Sequence, residues 1–213
     1  SEEMYNHIIS LMNSKVLPMY IEILNPTSTT QVGDLKQIPV IEVEKYNNDI
    51  DKYVNKNINI MKSGWDSFEI SWDFEKHPLM KFKKETIEKS FMLWNDFTLE
   101  EFYELKEMEE KLNKIYIDTY GLQDELTPEV EEKDITIRKA DRDREMKSFI
   151  SYAVGCMMGR YSLDEEGLVF AGGEFDIDRY KTFKADKDAI IPITDMEYFE
   201  DDIVSRFVEF VKV

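Results

Sequence analysis

The chain has 213 residues, enough for one large or two small domains. A hydrophobic fraction of 42% with 13% aromatic residues can build a real core, which excludes global disorder. Lys and Arg number 27 against 45 Asp and Glu, a net charge of −18, so the surface repels phosphate backbones unless positive charge is gathered locally.

The start, Ser1-Glu2-Glu3-Met4, has neither the basic nor the apolar region of a signal peptide. Residues 4–24 then read as a helix, with Ile8, Leu11, Met12, Val16, Met19, Tyr20 and Ile23 near the 3.6-residue period and Lys15 as the polar exception. Pro18 is expected to kink this helix or end its first half. Asn25-Pro26 stops it. Residues 26–34 are polar and turn-like. Ile38-Pro39-Val40-Ile41-Glu42-Val43 looks extended, and Pro39 confines it to a sheet edge. A second helical pattern covers 45–62, with Ile50, Tyr53, Val54, Ile58 and Met61 on one side.

Residues 65–74 are densely aromatic and are closed by His77-Pro78, where His77 reads as a turn residue. We read this run as a packed connector that buries Trp65 and Trp72 against neighbouring helices. Such a run could also stack nucleic-acid bases, but the interleaved Asp66, Glu69, Asp73 and Glu75 would repel the phosphates.

Residues 84–120 are mostly helix, re-initiated at Thr98 as a cap. Leu105, Met108, Leu112, Ile115 and Thr119 follow a 3–4–3–4 spacing, the seam of a helical hairpin. Gly121 is placed to end it. Residues 122–135, acidic and containing Pro128, form a loop. Residues 141–161 give the clearest helix, with Asp141 as cap and Met146, Phe149, Ile150, Ala153, Val154, Met157, Met158 and Tyr161 as its apolar stripe. Beside the stripe, Ser151, Gly155 and Gly159 recur every four residues, a spacing that lets another backbone approach. The 98–120 helix is the simplest partner. Residues 168–173 suggest a short strand and turn, 189–193 another extended piece, and 195–212 a last helix carrying Phe199, Ile203, Phe207, Phe210 and Val211. The single cysteine, Cys156, excludes an intramolecular disulfide and points to a reducing, cytoplasmic compartment. No apolar run approaches the roughly 20 residues of a membrane span, so no membrane partner is expected.

These elements predict an α+β but helix-dominated fold, a helical hairpin or spacer with a few short edge strands. Three segments are expected: 1–44, an aromatic and helical connector over 45–97, and the hairpin spacer over 98–213.

The chemistry of a complete enzyme is not legible. A methyltransferase needs a glycine-rich loop between strand and helix, but Gly172-Gly173 runs into Glu174-Phe175-Asp176 with no helix start. Asn25-Pro26-Thr27-Ser28 begins like the loop that holds a flipped base, but lacks the second proline and the aromatic residue. Asp34 with Glu42-Val43-Glu44-Lys45 approaches a nuclease metal motif with the wrong spacing. His7, His77 and Cys156 are too few for a zinc site without distant carboxylates. We assign no catalytic, cofactor-binding or metal residue. One basic cluster stands out: Arg138, Lys139, Arg142, Arg144 and Lys147, interleaved with Asp141, Asp143 and Glu145. It reads either as a helix start laced with ion pairs or as a phosphate-contacting patch within a larger assembly.

Leu11-Met12-Asn13-Ser14-Lys15-Val16, Ile23-Leu24-Asn25-Pro26-Thr27 and Gln31-Val32-Gly33-Asp34-Leu35-Lys36-Gln37-Ile38-Pro39-Val40 resemble the end of a target-recognition region. Such regions occur in large adenine-specific DNA methyltransferases of restriction–modification and phage-exclusion systems. Three more segments sharpen the match: residues 65–74, residues 149–162 and Ile191-Pro192-Ile193-Thr194-Asp195 with Tyr198-Phe199-Glu200-Asp201-Asp202-Ile203-Val204. Together they resemble the PglX family, the methyltransferase of the BREX (Pgl) phage-defence system. In that family the catalytic domain lies N-terminal to such segments and carries the cofactor loop and the Pro-Pro-aromatic motif. The resemblance therefore implies a non-catalytic middle fragment whose first 44 residues end a target-recognition region. It implies S-adenosylmethionine for the full-length protein and no cofactor in this chain. It also implies DNA, reached through the full-length protein, and other defence-system subunits as partners. The DNA-contacting candidates are Lys15, Thr29, Gln31 and Lys36 in the recognition-like part, and Arg138, Lys139, Arg142 and Lys147 in the basic cluster. The alternative is an acidic protein-interaction scaffold that touches no DNA.

Overall fold

The computed structural model describes residues 2–27, 29–41, 47–196 and 198–213. It is helix-dominated, and among the described residues there is no strand. The chain divides into two compact units, Ser1–Lys62 with Glu100–Arg138 and Ser63–Leu99 with Lys139–Val213. This division cuts across the three sequence segments, because two long helices, α4 (Asn47–Asp66) and α6 (Ile87–Tyr120), each contribute to both units.

In the first unit, α1 (Glu2–Asn13) packs on α2 (Val16–Leu24). Pro18 explains the break between them. It falls in the first turn of α2, where a missing N–H removes no intrahelical bond, whereas inside one continuous helix it would remove one. Asn25 ends α2 as expected. The turn-like stretch after it contains one helical turn, α3 (Val32–Leu35). Leu11, Val16, Ile50 and Val54 bury themselves against Leu112, Ile115 and Tyr116. The Tyr116 hydroxyl lies 2.6 Å from Ser10 Oγ and donates to the His7 carbonyl at 3.0 Å, so its burial leaves no hydrogen bond unmade. Of the seam expected on α6, Leu105, Met108, Leu112 and Ile115 are buried and Thr119 is half-buried. On α4 the inward set is Ile50, Val54 and Ile60, while Ile58 and Met61 are exposed. The acidic loop after α6 packs too, through Val130 and Ile135 on Ile60, Phe102 and Leu105.

In the second unit, α7 (Arg142–Met157) packs on α8 (Ile203–Lys212), with the Phe149 and Phe210 rings 5.6 Å apart. Around them gather Phe74, Leu79, Trp94, Tyr152, Met157 and Phe183. The partners of α7 in this core are thus α8 and the Trp94 turn of α6. The 98–120 stretch expected beside α7 belongs, from Glu100 on, to the other unit.

Several sequence expectations are corrected here. Helix α6 does not restart at Thr98. That hydroxyl donates to the Asn95 carbonyl at 3.0 Å and accepts from the Ala140 amide at 3.0 Å, so it is satisfied inside an unbroken helix. Among the described residues the predicted edge strands are absent. Over 168–173 the backbone is held by single bonds, Val169 N to the Arg160 carbonyl at 2.9 Å and Arg179 Nη1 to the Val169 carbonyl at 2.9 Å. The Pro192 carbonyl accepts from Ile203 N at 3.0 Å. Backbone groups satisfied one at a time need no ladder. Residues 38–41 are not a strand either, and Glu42 and Val43 lie outside the described residues, as do Glu44 and Lys45 of the nuclease-like motif. The last helix begins at Ile203, because Asp202 Oδ1 caps it by accepting from Val204 N at 2.7 Å, and Phe199 is left exposed. Helix α7 stops at Met157: Gly159 adopts φ +76°, its amide reaches the Cys156 carbonyl at 3.1 Å, and the Arg160 amide reaches the Gly155 carbonyl at 2.8 Å. That is a left-handed glycine cap, so Gly159 closes the helix and does not pack mid-helix.

The aromatic connector is the largest reversal. Its tryptophans are not buried: Trp65 is 57% exposed and Trp72 fully so, with Ile70 70% exposed. Phe74 goes into the core, and Phe68 lies under the Arg144 guanidinium, 5.7 Å from its ring centroid. Successive turns at Phe68, Ser71 and Phe74 send the phenylalanines inward and the larger rings out.

Candidate nucleic-acid interface

The recognition-like candidates lie in the first unit. Lys15 occupies the corner between α1 and α2. Its amide donates to Asn113 Oδ1 at 2.9 Å and its ammonium to the Glu129 carbonyl, so this lysine ties the corner to the loop after α6. Asn25 organises the following loop: its Nδ2 donates to the Thr29 carbonyl at 3.1 Å and to Asp34 Oδ2 at 2.7 Å. The same carboxylate oxygen accepts from the Gln31 amide at 2.9 Å. These two bonds, the Asn25 one foremost, hold the Asp34 carboxyl below the usual carboxylate range. Asp34, the acid of the nuclease-like motif, is thus engaged in shaping the loop. The loop presents Thr29, Gln31 and Lys36 to solvent.

Beside this loop runs an open groove of about 480 Å³, walled by Leu17, Pro18 and Ile21 of α2 and by Asn25, Thr27 and Thr30. Its charged lining residue is Glu22, and none of the four candidate DNA contacts lines it. A groove of this character does not attract phosphate.

The basic cluster straddles the boundary between the two units: Arg138 belongs to the first and Lys139, Arg142 and Lys147 to the second. Arg138 and Lys139 are both engaged within the chain. Arg144 turns inward: its guanidinium pairs with Glu145 at 2.7 Å and donates to the Lys139 carbonyl at 2.8 Å. Glu145 is buried, so this pair neutralises a carboxylate that could not stand alone there. Arg142 and Lys147 are exposed on α7. Five residues apart, they point about 140° away from each other around the helix. Asp141 accepts from the Arg144 amide at 2.8 Å as the N-cap, and Asp143 and Glu145 occupy the first turn, where the helix dipole favours acids. The helix start thus holds the Arg144–Glu145 ion pair and the Asp141 cap, and its exposed cations Arg142 and Lys147 diverge.

His77, which sequence reading takes as a turn residue, caps the short helix α5 (Pro78–Lys81) from a buried position. Its Nδ1 accepts from the Leu79 amide at 3.2 Å and its Nε2 lies 2.9 Å from Ser148 Oγ. Burial pulls its pKa down to about 3. Cys156 is buried and its thiol is pushed up to about 12 by desolvation, the opposite of an activated nucleophile. Among the described residues, no three His, Cys, Asp or Glu side chains are grouped to hold a metal ion. Nor is any helix there long and apolar enough to cross a membrane.

No family model matches the chain. It is 39% identical over 210 residues to the adenine-specific methyltransferase PglX of Lacticaseibacillus casei (strain Zhang), a match covering 95% of this chain and 17% of that protein. It is 35% identical over 230 residues to the adenine-specific methyltransferase BrxX of Escherichia coli O9:H4 (strain HS), covering 98% of this chain and 19% of that protein. The chain thus spans less than a fifth of the length of the curated relatives it matches. The resemblance read from its segments holds: over nearly its whole length the chain is similar to one part of PglX- and BrxX-type adenine-specific methyltransferases.

Proposed function

We propose that this chain is a non-catalytic recognition and spacer segment of an adenine-specific DNA methyltransferase acting in phage defence or restriction–modification. It positions DNA or partner subunits for a catalytic domain that lies elsewhere in the longer polypeptide. The observation that carries this reading is the asymmetry of coverage, almost all of this chain against less than a fifth of either relative. In this reading residues 1–44 end the target-recognition region, 45–97 connect, and 98–213 form the spacer. S-adenosylmethionine is bound by the rest of the polypeptide, in the cytoplasm. The exposed side chains Thr29, Gln31, Lys36, Arg142 and Lys147 are the DNA-facing set. Lys15, Arg138 and Lys139 support them from positions engaged within the chain.

A second reading, an acidic scaffold that touches only protein, is favoured by one observation: the exposed cations of α7 diverge instead of converging. The two separate on a single experiment. In the complete methyltransferase, Lys36, Arg142 and Lys147 are replaced together by alanine, and DNA affinity is measured against salt. Direct phosphate contact predicts a salt slope reduced by about 0.9 for each phosphate no longer neutralised. An unchanged slope and affinity would leave the scaffold reading.

A further inference from the structure

The connector 65–74 carries the least expected surface of the molecule. Trp72 is fully exposed, Trp65 57% and Ile70 70%, within eight residues of chain. Trp94, the third tryptophan, is 5% exposed. Exposed tryptophans concentrate at the centres of protein interfaces, where a large ring contributes most of its affinity once water is excluded. The run is not loose: Ser71 Oγ donates to Asp66 Oδ1 at 2.6 Å, the Asp73 amide donates to Ser71 Oγ at 3.1 Å, and Phe74 anchors it in the core. Trp65 is therefore presented from the last turn of α4 and Trp72 from a hydrogen-bonded, anchored turn, which lowers the ordering cost of docking.

Three occupants can be weighed. Nucleic acid would stack on the rings, but Asp66, Glu69 and Asp73 interleave with or flank them and repel phosphate. A second copy would bring the same acids against themselves. Polypeptide from the rest of the same protein has neither difficulty, and the lengths supply it: in both relatives more than four-fifths of the chain lies outside the region matched here.

We propose that Trp65, Ile70 and Trp72 form an intramolecular docking surface, covered in the complete methyltransferase by an apolar face of the polypeptide outside these 213 residues. This rests on the reading of the chain as a segment of such an enzyme. The rings then anchor the spacer to the remainder of the protein and fix its orientation.

Hydroxyl-radical footprinting read by mass spectrometry tests it, with Trp94 as the internal standard. In the isolated chain Trp65 and Trp72 oxidise at least ten times faster than Trp94. In the complete methyltransferase, without DNA, Trp72 falls to within about twofold of Trp94, and a Trp65→Ala/Trp72→Ala double variant loses protection at Ile70 while Trp94 is unchanged. Trp72 remaining as reactive in the complete protein as in the isolated chain overturns the proposal. So does protection that appears only with added DNA, or that appears in the isolated chain as its concentration rises. Methylation by the same preparation is read separately. A complete protein that methylates DNA with Trp72 still reactive refutes the docking surface and leaves the functional reading intact. A complete protein that does not methylate refutes the functional reading whatever the footprint.

Discussion

Gly155 lies directly beneath the ring of Tyr161: a Cβ added to the glycine would fall 2.6 Å from Tyr161 Cδ2 and 2.9 Å from Cε2. The ring cannot easily give way. It is buried, stacked 5.1 Å from the Tyr152 ring, and set edge-on to Phe74 at 5.5 Å. Alanine at this helical position gains about 1 kcal/mol of propensity over glycine, and overpacking costs about 1–3 kcal/mol. Gly155→Leu is therefore expected to lower the melting temperature, and Gly155→Ala to lower it less or leave it level. Equal or higher melting of the leucine variant would show that the ring is not held.

Gly159 fails for a different reason. Its φ of +76° strains any L-residue, and an added Cβ would meet the Phe175 ring at 2.8 Å. Gly159→Ala should cost about 1–3 kcal/mol by denaturant unfolding, more than Gly155→Ala. The reverse order would contradict the cap.

His77 makes the second unit acid-sensitive. Its folded pKa is lowered to about 3 from 6.5 by burial, so the unfolded chain takes up the proton first. The stability from neutral His77 is fully present above pH 6.5 and is lost as pH falls from there toward 3. Between pH 7 and pH 4.5 the loss is about 2–3 kcal/mol. His77→Asn, which keeps a capping acceptor, should be less stable at pH 7 but lose correspondingly less on acidification. Parallel pH profiles for the two proteins would refute this.

Glu109 has the opposite sign. Burial, and then the charge of Glu110, push its carboxyl up to about 7. The unfolded chain ionises near 4.5, so the favourable contribution is present below that pH and is lost as pH rises toward 7. Glu109→Gln removes the titration. It should stabilise the protein at pH 8 by about 1 kcal/mol, a value discounted because the group is partly solvated, and give no gain at pH 4. A gain at both pH values would point to packing instead.

The charge predicts weak DNA binding by the isolated chain. With −18 overall and diverging cations on α7, gel shifts on random duplex DNA should show undetectable or strongly salt-sensitive binding. Tight binding that survives 200 mM salt would require a focused basic surface.

The periodic parts of the fold are legible in sequence because burial repeats with the helix: Leu105, Met108, Leu112 and Ile115 lie buried on α6 where their spacing puts them, and Asp141 is the cap it looks to be. Pattern fails where one position satisfies two rules. Thr98 looks like a cap in sequence, yet a threonine can also bond back to Asn95 within the helix. Aromatic density in 65–74 suggests burial, although the successive turns of this run send Phe74 in and leave Trp72 out. The strand-like runs at 168–173 and 189–193 are apolar enough but have no partner strand among the described residues. Of the candidate site, the family resemblance is legible in ordered segments. The fate of each cation is not, because Arg144 and Lys15 are claimed by Glu145 and by a distant carbonyl that no local pattern announces.

The most direct test is transfer of a labelled methyl group from S-adenosylmethionine to adenine in duplex DNA. It is measured on the isolated chain and on the complete polypeptide with and without these 213 residues, alongside calorimetry of cofactor binding. The account predicts no transfer and no cofactor heat for the isolated chain, transfer by the complete protein, and loss of site-specific transfer when the segment is removed. Methylation by the isolated chain, a micromolar cofactor site in it, or unchanged site-specific methylation after its removal would contradict the account.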